Sequence, residues 1–230
     1  MIGPLRALLL DYGGVLTEPM ASNHSRFCRD LGIDPASLEE VLDDWVRQPN
    51  GGGPVPAMER GQLSVAAFEE RLAARLRRWD GVRVPAAGLL RRLFADTRLD
   101  GSTLALVADL RAAGVRVALV SNAWGSDYPL GRLRQCIDEF VFSNQIGLRK
   151  PEPGIYLHAA RQIGVEPADC LFVDDRLRNV RGAEAVGMTG LHYVDPEQGR
   201  ARIRDMFCGG SLTGATGDSA SNASDRSGAC

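Results

Sequence analysis

Little in this chain points to an extracellular, membrane-bound or nucleic-acid-bound protein. Its few cysteines, Cys28, Cys136, Cys170, Cys208 and Cys230, are odd in number, far apart and contain no C-x-x-C pair. They read as reduced thiols of a cytosolic protein rather than as a disulfide framework, and no His or Cys cluster offers itself to zinc. A basic excess is missing: 27 Lys and Arg face 29 Asp and Glu, a formal net charge of -2. Nucleic acid and anionic membranes are therefore not expected partners. No apolar run approaches the ~20 residues that cross a bilayer. The opening apolar stretch, too short for a signal peptide, runs straight into Asp11. The expectation is a soluble, cytoplasmic protein; its oligomeric state stays open.

What is present is a set of apolar runs with polar ends. LRALLLD closes on Asp11, VRVALVS on Ser121, and CLFVDD on Asp174 and Asp175. Runs of Leu, Val and Ala alternating with helical segments read as buried parallel strands. Ligands of open α/β sheets bind outside the carboxyl ends of such strands, so three acids and a hydroxyl should meet in one crevice. Carboxylates gathered there raise one another's pKa unless a cation joins them, so the cluster asks for a metal.

The 230 residues leave room for one large domain or one domain carrying an insert. After Asp11 and a turn at Gly13 and Gly14, strand signals vanish until the region of Ser102. Asp34 and Pro35 open a helix with Leu38, Val41, Leu42 and Trp45 on one face. Ser64 opens another, with a stripe of Phe68, Leu72, Leu76 and Trp79. Residues 48–56, QPNGGGPVP, read as a loop. From Ser102 the pattern alternates: helix 102–113, strand 115–120, helix 130–137, strand 140–143, helix 153–163, strand 170–173, helix 177–186 and a strand near 191–194. Such alternation implies right-handed βαβ units and an α/β class. Residues 208–230 have almost nothing to bury and are expected to be disordered.

Each candidate residue has a plain structural explanation when taken alone. Asp175 would serve as an N-cap, Ser121 and Asn122 as turn residues, Lys150 as a solvated loop lysine, and Gly13 and Gly14 as a tight turn. The arginines Arg71, Arg75, Arg77 and Arg78 read mainly as a solvated helix face, and Trp124 either lines a pocket or packs under the insert. Asp11, directly after Leu8, Leu9 and Leu10, has few such explanations. The ordered occurrence of all of them argues against coincidence.

That order, carried by DYGGVLT, VSNAWG, RKPEPGIY and FVDDRLRNV between about Leu5 and His192, resembles the haloacid dehalogenase superfamily, in the branch with a helical cap inserted after the first motif. The resemblance implies a Rossmann-like parallel-sheet core over residues 1–16 and 99–207 and a helical cap over 17–98. It implies a phosphatase acting on a small phosphorylated metabolite, with Asp11 as nucleophile. It further implies Mg²⁺ on Asp11, the Gly13 carbonyl and Asp175, with Asp174 acting through water or orienting Asp175. Ser121 and the Asn122 amide would hold the phosphoryl group, and Lys150 would neutralise charge.

One departure concerns proton transfer. Phosphatases of this superfamily usually carry a second Asp two residues after the nucleophile, and here that residue is Gly13; Tyr12, Glu18 and His24 are the substitutes within reach of the sequence. Two rivals remain. A dehalogenase of the same superfamily would use Asp11 without metal, although its pattern places tyrosine two residues after the nucleophile rather than next to it. A catalytically impaired binding protein would keep the pocket alone.

Overall fold

In the computed structural model, residues 4–47, 52–125 and 127–208 are described. Five strands, β1 (Ala7–Leu10), β2 (Arg116–Ser121), β3 (Glu139–Phe142), β4 (Cys170–Asp174) and β5 (Thr189–His192), form one all-parallel sheet in the order β3-β2-β1-β4-β5. Alternation along β1 explains why its four residues are all apolar. Leu8 and Leu10 enter one core layer while Ala7 and Leu9 enter the opposite one, and all four are fully buried. Leu10 pairs with Leu119 on one side and Val173 on the other, so the residues that follow come level at one sheet edge.

Among the described residues, a π-helical turn (Tyr12–Leu16) and five α-helices separate β1 from the rest of the sheet: α1 (Met20–Leu31), α2 (Pro35–Arg47), α3 (Pro54–Glu59), α4 (Val65–Arg75) and α5 (Leu89–Phe94). These α-helices bury a hydrophobic cluster of their own around Trp45, Phe68, Leu72 and Leu89. This insert leaves and rejoins the sheet domain at neighbouring points, where Thr17 and Leu99 form an antiparallel bridge. Behind it, α6 (Gly101–Ala112) covers one sheet face; Asp100 starts it by accepting from the amides of Ser102 and Thr103. Next come α7 (Leu130–Leu133), α8 (Ser143–Ile146), α9 (Pro153–Ile163), α10 (Leu177–Glu184) and α11 (Pro196–Cys208). Helices α9 and α10 cover the other face through residues such as Ile155, Ala159 and Ala183.

Several sequence expectations need correction. The glycine- and proline-rich stretch is not loop throughout. Residues 48–51 lie outside the described residues, but Pro54 starts α3, since a first-turn proline lacks only an N–H that has no helical partner anyway. Helix α4 ends at Arg75, so Trp79 leaves the stripe and is 75% exposed, while Arg78 bridges Ile33. The helix expected over 130–137 stops at Leu133. Asp138 draws the chain toward β3, its amide donating to the Val117 carbonyl (2.9 Å) and its carboxylate accepting from the Val117 amide (2.9 Å) and Arg111 Nε (2.7 Å). Ser143 begins α8 rather than ending a strand, β5 lies two residues earlier than expected, and α10 ends at Glu184. Helix α11 was not anticipated: mostly polar, it is held by Ile203, which is buried against the α6 face of the sheet. Of the stretch expected to be disordered, Cys208 closes α11, and 209–230 lie outside the described residues.

Candidate active site

Because β1 and β4 are parallel neighbours, Asp11 and Asp174 emerge together, and the Asp11 amide donates to the Val173 carbonyl at 2.9 Å. Lys150 closes the group from the loop before α9. Its Nζ lies 2.7 Å from Asp11 Oδ1 and 2.7 Å from Asp174 Oδ2, and its side chain is fully buried. The solvated-lysine explanation is thereby excluded. Asp11 Oδ1 also accepts from the Tyr12 amide at 2.7 Å, so among the described residues the hydrogen bonds on this carboxylate fall on one oxygen. Asp174, fully buried, has both oxygens engaged: besides Lys150, Asn179 Nδ2 donates to each (2.9 and 3.0 Å) and the Arg176 amide to Oδ1 (2.9 Å).

Asp175 is placed differently. It is not the N-cap of α10, a place taken by Arg176, and no ion pair reaches its carboxylate among the described residues. Gly14 explains how Asp175 fits. With φ +74°, Gly14 adopts a backbone that side chains disfavour, and a Cβ there would stand 2.9 Å from Asp175 Oδ2. Asp11, Asp174 and Asp175 each offer an oxygen within 4.8 Å of the others.

The electrostatics follow from burial. Desolvation lifts the Asp11 carboxyl from 3.8 to about 7, with Lys150 pulling the other way and Asp174 and Asp175 adding to the rise. Asp175 is raised by burial and then by Asp174. Burial disfavours the Lys150 ammonium, yet the Asp11 and Asp174 carboxylates outweigh it and raise its pKa. Among the described residues one buried cation, Lys150, thus faces three acids; Asp175 is pulled back by the exposed Arg176 and by Lys150, but no ion pair reaches its carboxylate. An oxygen-only donor set with a raised, unpaired carboxylate fits a hard divalent cation such as Mg²⁺. Asp11 and Asp175 are the carboxylates with oxygens to offer; Asp174 is occupied in holding Lys150.

Ser121 ends β2 at the same edge, with its Oγ 2.9 Å from the Tyr128 hydroxyl. Burial raises the Tyr128 pKa, so this hydroxyl is neutral and able to orient Ser121. Asn122 braces Lys150: its Oδ1 accepts from the Lys150 amide (2.8 Å) and its Nδ2 donates to the Lys150 carbonyl (3.0 Å). Of the proton-donor candidates, Tyr12 and His24 line the cleft together with Gly13, and Glu18 does not. Burial and then Arg176 lower the His24 pKa, which keeps the ring neutral near pH 7.

Some residues here escaped the sequence reading. Glu59, at the end of α3, accepts from Trp124 Nε1 (3.0 Å), Asn122 Nδ2 (3.3 Å) and Arg149 Nε, tying insert to core. Arg60 pairs with Glu152 across the same junction. No periodicity marks Glu59, Tyr128 or Asn179; the partners of Glu59 are 63 to 90 residues away in sequence, whereas Tyr128 and Asn179 reach Ser121 and Asp174 seven and five residues off. Trp124 fulfils both of its suggested roles, lining the cleft and packing edge-on against Phe68 at 5.4 Å. In the arginine-rich run, Arg75, Arg77 and Arg78 make surface pairs with Asp44, Glu40 and Asp80. Above the carboxylates lies a cavity of ≈ 1020 Å³ between insert and sheet edge.

A family model described as haloacid dehalogenase-like hydrolase matches residues 5–187. The chain is 35% identical over 115 residues to a sesquiterpene phosphatase of Aspergillus oryzae, a stretch covering 47% of this chain and 58% of that protein. It is 28% identical over 223 residues to a phosphoglycolate phosphatase of Nitrosospira multiformis, covering 89% and 88%. For the sesquiterpene phosphatase and two further curated relatives, the chain spans 58% or less of their length. A solved structure described as a predicted HAD-like family hydrolase, from Porphyromonas gingivalis, superposes with a TM-score of 0.62 at 26% identity, covering 81% of this chain and 90% of that one. No helix among the described residues is long and apolar enough to cross a membrane.

Proposed function

Because the chain belongs to the haloacid dehalogenase-like hydrolase family, we propose that it is a Mg²⁺-dependent phosphatase that hydrolyses a phosphate monoester through an aspartyl phosphate on Asp11. The observation that carries this reading is the Asp11 carboxylate at the cavity floor, with Oδ1 pinned by Lys150 Nζ and the Tyr12 amide at 2.7 Å each. A nucleophile fixed through one oxygen can attack with the other. The Asp11 oxygen bonds to phosphorus as the ester P–O bond breaks, and the departing oxygen leaves with the bonding pair and takes up a proton. Water then attacks the phosphorus of the aspartyl phosphate, the Asp11 carboxylate leaves, and inorganic phosphate and a proton are released.

Ser121, oriented by Tyr128, donates to a phosphoryl oxygen alongside the Asn122 amide, and Lys150 stabilises the charge that builds in the transition state. Asp174 is a positioning residue that acts through Lys150. Mg²⁺, held by Asp11, the Gly13 carbonyl and Asp175, would neutralise the phosphoryl oxygens when bound. Residues 17–98 act as the cap that closes over the sheet domain of residues 1–16 and 99–207. The two curated phosphatases above are named for substrates of opposite polarity, so kinship alone selects no leaving group.

Asp11→Asn tests the reading. The amide keeps the shape but not the nucleophilicity, and kcat should fall by about 10³-fold or more with an unchanged circular dichroism spectrum. Retention of more than a few per cent of wild-type turnover by the purified variant would sink the nucleophile assignment. Chloride released from chloropropionate, with full activity after exhaustive chelation, would instead make the enzyme a dehalogenase.

A further inference from the structure

We propose that the chamber above Asp11 accepts the phosphate monoester of a bulky, apolar alcohol or phenol, an inference that rests on the phosphatase reading and narrows it to a substrate class. Size is the first argument. The cavity's ≈ 1020 Å³ lies at the upper end of the ~300–1,000 Å³ typical of pockets that enclose drug-sized ligands. A phosphoryl group on a two- or three-carbon acid would leave most of that space to water.

Chemistry is the second. The floor carries the acids, Ser121 and Lys150, whereas the insert contributes Leu42 and Val46 from α2, Val65 from α4, and Leu90 and Phe94 from α5, with Trp124 added from the core. Of these six side chains only the Trp124 indole has a polar atom, and its N–H already donates to Glu59 Oε1 at 3.0 Å.

Two of the insert carboxylates that line the chamber are engaged as well. Glu59 is held by Trp124, Asn122 and Arg149, and Glu69 accepts from the Gly88 and Leu90 amides at 3.0 and 2.9 Å, capping α5. The other charged insert residues lining the chamber, Glu39, Asp43 and Arg91, are solvent-exposed, and so, on the apolar side, is Val65. His24, Thr97, Asp127, Arg176 and Arg178 also line the chamber, but a leaving group rich in hydroxyls that lies against the six apolar side chains would surrender its water hydrogen bonds to them without replacement. An apolar one exchanges water for hydrocarbon and gains.

The experiment compares phenyl phosphate with naphthyl phosphate on the full chain with Mg²⁺. Their leaving groups are of similar acidity, so a difference reads the chamber rather than the ease of P–O cleavage. The expected kcat/KM is higher for naphthyl phosphate by on the order of tenfold, and decyl phosphate should exceed ethyl phosphate in the same sense. Leu42→Gln and Val65→Gln should each pull the naphthyl-to-phenyl ratio toward one; because the ratio is internal to each variant, partial loss of folded protein does not move it. Equal kcat/KM for the two aryl esters, or a higher value for phosphoglycolate than for naphthyl phosphate, would overturn the proposal and leave the phosphatase reading standing. Turnover of none of these esters would overturn both.

Discussion

Lysine occurs once in this chain, at position 150; the other members of the 27 Lys and Arg residues are all arginine. The exception has a physical reason. A compact ammonium fits between Asp11 Oδ1 and Asp174 Oδ2, whereas a planar guanidinium carries five donors that a fully buried site of this width would not satisfy. The same burial gives the site a pH signature. Asp11 titrates at about 7 against 3.8 in its ordinary state, so the folded protein holds that proton more tightly than the unfolded chain does. This contribution to stability is complete below about 3.8 and is lost as pH rises through about 7. A divalent cation takes the proton's place, so Mg²⁺ should raise Tm more at about pH 8 than at about pH 6, and its binding should release protons. Calorimetry in buffers of different ionisation enthalpy measures the release; a Tm gain independent of pH would contradict the account. Gly13 offers a second test. With no acid at that position, kcat/KM should fall steeply as leaving-group pKa rises. A Cβ at Gly13 would meet only the flexible Met20 side chain, at 3.3 Å, so Gly13→Asp has room and should flatten the slope. A flat wild-type dependence would mean that Tyr12 or His24 already supplies the proton, and an unchanged steep slope in the folded variant would mean that the new carboxyl does not reach the leaving oxygen.

Helix α3 is six residues long, yet it joins the two halves of the molecule. Gly61, just beyond it with φ +71°, lies against the Asn144 backbone so closely that a Cβ has no room. Glu59 and Arg149 are both buried, so removing one charge strands the other. Glu59→Ala should cost about 3 kcal/mol in urea unfolding, and Glu59→Ala with Arg149→Met together should cost less than the sum of the two single changes. Additivity would show that the pair is uncoupled. Local chemistry explains which elements could be read from sequence. Helix α2 announced itself through Pro35 and its Leu38, Val41 and Trp45 face, α9 through Pro153 and Gly164, and β4 through an unbroken apolar run. Helix α3 did not, because its prolines resemble loop composition, nor did α11, whose burial falls mainly on Ile203. In the site, the residues at strand ends were legible because the sheet alone aligns them. Glu59 was not, since only tertiary packing brings it near Arg149, 90 residues away; Tyr128 and Asn179, seven and five residues from Ser121 and Asp174, sit in loop and first-turn positions that no periodic pattern marks.

At the scale of the whole molecule, the sheet fixes Asp11, Ser121 and Asp174 relative to one another without help from the insert. The Glu18 amide donates to the Arg98 carbonyl and the Asp100 amide to the Leu16 carbonyl, each at 2.9 Å, on either side of the Thr17–Leu99 bridge. A chain in which a short glycine turn joins Glu18 to Arg98 should therefore keep the parallel sheet and unfold cooperatively, because closing a shorter loop demands less entropy. It should also lose the preference between aryl esters that the chamber confers. Aggregation of that chain under conditions where the parent is soluble would show that the sheet depends on the helices above it. Departure and return at adjacent backbone atoms also carry an evolutionary consequence. The intervening segment can be lengthened, exchanged or grafted between descendants while the reacting groups stay in place, so selectivity and reactivity can be inherited separately.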